Sequence, residues 1–224
     1  IGRRDFLRGV AALGTAWGAA QWLSVSALGQ ERRPPASARI TIGCIGMGGN
    51  GSGHLRALLS TAGVQVLAVC DVDQQRRDQA RTLVETEYAE QVRSGSYRGC
   101  TAYNDFRQLI ARDDIDAVFI STPDHWHAIH VIAAARAGKH IYCEKPLGLT
   151  VEEGRVMSDT VRRCGVVFQT GSQLRSGAGT RQACELVRNG YIGKLHTLRV
   201  GTPRSRTLAN QPEMPLPPGF DYDM

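Results

Sequence analysis

Gly46-Met47-Gly48-Gly49-Asn50-Gly51 closes an apolar run that begins at Thr41. Asp71 ends a second apolar run, Val64–Cys70, twenty residues past the last of these glycines. A Gly-x-Gly-x-x-Gly turn between strand and helix, with an acid at that distance, is the arrangement that binds a dinucleotide pyrophosphate. Gly46 allows the tight turn, and Gly48 lets main chain approach a phosphate with no Cβ in the way. Gly51 lets the helix pack close to the sheet. Main-chain N–H groups at the helix start, with its partial positive charge, then face the phosphates. Asp71 can accept hydrogen bonds from an adenosine ribose and repel a 2′-phosphate, which favours NAD. Arg76 and Arg77 lie close enough to reach a 2′-phosphate, so NADP stays open.

Two later stretches, after the fourth and fifth expected strands, read Thr122-Pro123-Asp124-His125-Trp126-His127 and Glu144-Lys145-Pro146. A lysine cation beside a hydroxyl stabilises developing alkoxide charge, and partial burial brings its pKa toward a working range. Lys145, after the fifth expected strand, has the chemistry for such a role, with a plain surface lysine as the alternative. Gln173 and Arg175 are candidates for substrate contact. His125-x-His127 has the spacing of a metal pair, but no further ligands accompany it and no metal is expected.

The elements that must hold these residues alternate. Strands are expected at Ile40–Ile45, Val64–Cys70, Gly99–Tyr103, Ala117–Ser121, His140–Cys143, Val166–Thr170 and Lys194–Val200. Helices are expected at Ser52–Ser60, Gln74–Arg93, Phe106–Ala111, His125–Ala137, from the Thr150 cap to Arg163, and Thr180–Asn189. Alternation at this spacing predicts an α/β fold with a Rossmann-type, doubly wound parallel sheet, whose ligands lie beyond the carboxyl ends of the strands. Residues 39–192 form this domain, and residues 193–224 read as the start of a truncated second α/β domain.

Composition narrows the partners. The formal charge is +6 over 224 residues, but Arg3, Arg4, Arg8, Arg32 and Arg33 stand against only Asp5 and Glu31 in the first 33 positions. That segment holds half the surplus, and the rest has no basic stripe interleaved with aromatics, so nucleic acid is not an expected partner. The six cysteines are scattered without a Cys-x-x-Cys pair, which argues against a disulfide framework or zinc knuckle. Gly2-Arg3-Arg4-Asp5-Phe6-Leu7-Arg8, followed by an uncharged stretch to Gln30 and a small-x-small Ala27-Leu28-Gly29, reads as a twin-arginine signal peptide over residues 1–30. A linker, 31–38, follows. Expected consequences are engagement of the twin-arginine export machinery, a periplasmic location, and no stable membrane span after cleavage. The chain opens on Ile1 rather than Met and stops in a proline-rich segment, so both ends read as cut.

Thr122-Pro123 with His127, then Gly138-Lys139-His140, then Glu144-Lys145-Pro146 stand in the order found in the glucose-fructose oxidoreductase/inositol dehydrogenase (Gfo/Idh/MocA) family, which the chain resembles over about residues 40–224. Phe168-Gln169-Thr170-Gly171-Ser172-Gln173 and Phe220-Asp221-Tyr222-Asp223 are similar to its exported subgroup. The resemblance implies hydride transfer between NAD(P) and a sugar or polyol carbon, with Lys145 beside the reacting hydroxyl and a cis Pro146. It also implies that Thr122 and Pro123 line the nicotinamide–ribose side and that His127 matches the family histidine. Glu144 then holds the nicotinamide half or orients Lys145. For His127 a structural role, and for Glu144 a plain ion pair, stay open. The family's general base usually comes from the second domain, so this chain is expected to supply mainly nucleotide binding. NAD-dependent glycoside hydrolysis on the same scaffold and a non-catalytic, cofactor-binding role are the alternatives. A homo-oligomer stays open.

Overall fold

The computed structural model describes residues 38–201 and 212–224. The stretch read as an export signal lies outside them, as does the linker except for its last residue. The elements all belong to one compact unit, Ile40–Met224.

Chain order is β1 (Ile40–Ile45), α1 (Gly49–Leu59), β2 (Val64–Cys70), α2 (Gln74–Glu87), α3 (Ala89–Arg93), β3 (Thr101–Tyr103), α4 (Phe106–Ile110), β4 (Ala117–Ile120), α5 (Asp124–Arg136), β5 (His140–Glu144), α6 (Val151–Cys164) and β6 (Phe168–Gly171). A 3₁₀ turn, Gln173–Ser176, and α7 (Ala178–Arg188) follow. The six strands form one sheet in the order β3-β2-β1-β4-β5-β6, and every pairing is parallel. Chain direction across the sheet reverses between β1 and β4, which leaves a crevice beyond their carboxyl ends.

Apolar residues pack on both faces of the sheet, as its β-branched strands require. Leu55, Leu59, Val66, Val84 and Tyr88 centre one cluster, under α1 and α2. Leu109, Ile120, Val131, Ile141 and Met157 centre the other, under α4, α5 and α6. Four of the six free cysteines are buried within these layers. Burial pushes the thiols of Cys70, Cys100 and Cys143 up to about 12, so they behave as small apolar side chains.

Two expectations are corrected. The helix expected over Gln74–Arg93 breaks at Tyr88, whose backbone leaves the helical region at φ −99. Its ring is fully buried and packs edge-on against Tyr97, with centroids 4.9 Å apart. The Tyr88 hydroxyl accepts from Val66 N, and the Tyr97 hydroxyl donates to Val66 O at 2.7 Å. Helical continuity thus yields to satisfying a main-chain pair beside the β1–β2 register shift. The strand expected at Lys194–Val200 is irregular. Leu195, Leu198 and Val200 are all exposed, and no described strand lies alongside for this backbone to pair with. Smaller shifts affect β3, which starts at Thr101 rather than Gly99, and β6, which starts at Phe168 rather than Val166.

The Gly138-Lys139-His140 sequence has a structural job. Gly138 takes φ +73 at the end of α5. The Lys139 ammonium is buried and donates to the carbonyls of Arg112 and Ile115, while His140 Nδ1 accepts from Val167 N.

Burial, with smaller contributions from the charges of His127 and Arg107, pulls the His130 imidazole down to about 4. Between that value and 6.5 the unfolded chain binds a proton that the folded chain refuses, so stability is full above pH 6.5 and is lost as pH falls toward 4. The loss amounts to at most roughly 3 kcal/mol. Urea unfolding at pH 7 and about pH 4.5 should show a smaller acid-induced loss in His130→Gln than in wild type. Equal losses would contradict this assignment.

Candidate functional site

The glycine loop is built around two close approaches. Gly46 has φ +88, and a Cβ there would stand 2.7 Å from main-chain atoms of Ser121 and Thr122. A Cβ on Gly51 would stand 1.8 Å from the carbonyl oxygen of Gly46. Neither position admits another residue without main-chain movement. At Gly48 the nearest atom to a Cβ would be Arg76 Nη1 at 3.6 Å, so the space above it is open to a ligand. Gly48 is also the N-cap of α1, whose start has no side-chain cap and no acid in its first turn. This helix end favours an anion.

Asp71 is locked against the loop. Its Oδ2 accepts from Met47 N at 2.6 Å and its Oδ1 from Asp73 N at 2.9 Å. Each carboxylate oxygen keeps a further lone pair for a ribose hydroxyl. Gly46, Gly48, Gly49, Asn50, Asp71, Thr122 and Pro123 line one cavity of about 630 Å³ at the crevice between β1 and β4. Met47 and Gly51 lie behind this lining, the one donating to Asp71 and the other packed on Gly46.

His127 is buried beside the cavity rather than on its wall. Its Nδ1 lies 2.6 Å from Pro146 O and its Nε2 2.8 Å from Thr122 O. Both partners are carbonyl acceptors, so a neutral ring donates to one of them and the cation donates to both. Either way the ring ties the turn after β4 to the turn after β5, where the Lys145–Pro146 peptide is cis. His125 lines the cavity, so the two histidines face different surroundings. Among the described residues no group of three or more His, Cys, Asp or Glu could hold a metal ion.

Glu144 ends β5 and is almost fully buried. His54 Nε2 lies 2.7 Å from its Oε1, which also accepts from Gln173 Nε2 at 2.9 Å and from the Tyr142 hydroxyl at 3.2 Å. Lys145 N approaches Oε2 at 3.3 Å. One carboxylate thus joins α1, β5 and the turn after β6. A Cβ on Gly171 would crowd this carboxylate at 2.8 Å, so glycine leaves it room. Lys145 is exposed at the end of the strand, and Arg175 is likewise exposed. Gln173, read from sequence as a substrate contact, has its amide donor directed at Glu144.

The sequence assigns no site role to His54, Tyr142, Asn104, Phe106, Trp126 or Phe220. His54 was findable, since it stands one helical turn past Gly51 and must face the sheet. Phe106 and Trp126 pack on His130 with ring centroids 4.4 and 5.5 Å away. This aromatic group forms an apolar wall of the cavity together with Phe220.

The profile of the oxidoreductase family with an NAD-binding Rossmann fold, Gfo/Idh/MocA, matches residues 40–172. The chain belongs to this family. Its relatives include a glycosyl hydrolase family 109 protein of Shewanella pealeana, 36% identical over 162 residues, which are 72% of this chain and 34% of that protein. Myo-inositol 2-dehydrogenase of Thermotoga maritima is 33% identical over 181 residues, 81% of this chain and 47% of the enzyme. The chain therefore spans between a third and a half of these curated relatives. Among solved structures, scyllo-inositol dehydrogenase from Lactobacillus casei with bound NAD(H) and scyllo-inositol is similar at TM-score 0.60 and 28% identity, covering 69% of this chain and 42% of that one. Myo-inositol 2-dehydrogenase from Lactobacillus plantarum gives TM-score 0.60 at 31% identity, covering 70% and 43%. Residues 40–172 are thus an NAD-binding Rossmann domain of the Gfo/Idh/MocA family.

Removing His54 leaves a buried carboxylate short of a donor, at a cost of about 1–3 kcal/mol. In urea unfolding, His54→Ala should lose that much, and His54→Gln, which keeps an N–H donor, should lose less than half of it. Identical stabilities for the two variants would refute a hydrogen-bonding role.

Proposed function

We propose that this chain is the nucleotide-binding part of an NAD-dependent oxidoreductase acting on a CH–OH carbon of a polyol or sugar. The observation that carries this reading is the joining of Asp71 to the glycine loop at one end of the crevice, with the exposed Lys145 at the end of β5, the strand beside β4. NAD, when bound, supplies the hydride acceptor.

The residues present fit that cofactor. The first N–H groups of α1 receive the pyrophosphate, and the absent Cβ at Gly48 leaves the main chain bare toward it. Asp71 accepts from the adenosine ribose hydroxyls and disfavours a 2′-phosphate by charge. Thr122 and Pro123 continue the wall toward the nicotinamide side. There Glu144 and His127 hold the β5 turn, and the Lys145 ammonium opposes the negative charge that develops on a substrate oxygen. Similarity to inositol dehydrogenases favours a cyclic polyol or sugar as substrate. Similarity to glycosyl hydrolase family 109 proteins favours a second reading, in which transient oxidation of a sugar leads to loss of its aglycone. Aglycone release without net NADH separates the two. Export through the twin-arginine pathway is part of the proposal and rests on Arg3-Arg4-Asp5-Phe6-Leu7. No described helix is long and apolar enough to cross a membrane.

Calorimetry should show the 224-residue chain binding NAD at least roughly tenfold more tightly than NADP, a difference of about 1.4 kcal/mol. Asp71→Asn should weaken NAD and narrow that ratio. A folded sample that binds neither nucleotide, or prefers NADP, would overturn the proposal.

A further inference from the structure

Residues 219–224 fold back over the adenosine end of the crevice. Phe220 forms an antiparallel bridge with Asp73. Gln74 N donates to Gly219 O at 2.9 Å, and Asp221 N donates to Val72 O at 3.1 Å. Gln74 is the first residue of α2, so the Gly219 carbonyl satisfies an N–H that the helix cannot. Gly219 has φ +78, and a Cβ there would press on Gln74 Cβ at 3.2 Å. Asn104 Nδ2 donates to Asp221 Oδ2 at 2.5 Å, and Arg77 Nη1 donates to both Asn104 Oδ1 and Asp71 O. The contact is therefore latched to the same β2 end that carries Asp71. It also leaves Arg76, not Arg77, on the cavity wall.

What the segment adds is apolar. Phe220 and Met224 line the same cavity as Asp71, Phe106 and Trp126. A ribose held by Asp71 directs its base into this space, and a flat aromatic base fits a slot walled by rings. We propose that residues 219–224 are a strap that completes the adenine pocket, with Phe220 as its base-contacting side chain and Asp221–Asn104 as its latch. This rests on the reading that the crevice binds NAD, and it assigns part of that binding to residues well beyond the matched family region.

The test compares AMP, NAD and nicotinamide mononucleotide as probes on the 224-residue chain, wild type and Phe220→Ala, by calorimetry. The expected result is a roughly tenfold loss for AMP and for NAD, equivalent to about 1.4 kcal/mol, with binding of the mononucleotide unchanged. Hydrogen exchange on wild type gives a readout that needs no substitution. Saturating AMP should slow exchange at the Gln74 and Asp221 amides, and nicotinamide mononucleotide should not. If wild type binds NAD but Phe220→Ala stays within twofold, or AMP leaves both amides unprotected, the strap is wrong and the NAD reading stands. If wild type binds neither AMP nor NAD, both fall.

Discussion

The structure depends on how closely α1 can approach the end of β1. With no side chain at Gly51, the helix start rests on the carbonyl of Gly46, and with none at Gly46 the turn rests on the main chain after β4. These contacts set the helix end above the sheet and open the crevice where β1 and β4 part. Asp71 fixes the same loop from the side through the Met47 N–H. The bare main chain at the start of α1 and the Asp71 carboxylate are therefore one assembly, and a shift in either moves the other.

A second assembly controls the neighbouring half of the crevice. The carboxylate of Glu144 gathers donors from α1, β5 and the turn after β6, and His127 stitches the β4 turn to the β5 turn. A buried carboxylate is tolerated because it is hydrogen-bonded several times over. Since His54 belongs to the helix of the glycine loop, Glu144 also links the two halves. Lys145 leaves the surface from between these fixed points, which limits where its ammonium can reach.

Much of this was legible where the signal is local. The glycine loop, β1 and β2 follow from spacing and apolar runs, and their limits match the structure residue for residue in both strands. What escaped depends on partners distant in sequence. His54 and Glu144 are 90 positions apart, and Asn104 and Asp221 are 117 apart. No periodicity reports such pairs. Tyr88 stands at helical spacing after Ala80 and Val84, whereas its hydroxyl is engaged at Val66 N. Lys194–Val200 carries Leu195, Leu198 and Val200, yet apolar residues in a short run say nothing about whether a neighbouring strand is there to receive them.

Joint action of Asp71 and the bare loop on one dinucleotide is the proposal from which the rest follows. A crystal structure of the chain with NAD tests this most directly. It should place the adenosine ribose hydroxyls within hydrogen-bonding distance of Asp71 while Met47 N–H stays on the same carboxylate, and the pyrophosphate over Gly48 and the start of α1. A dinucleotide bound elsewhere, or an Asp71 carboxylate that abandons Met47 and makes no contact with the ribose, would contradict it.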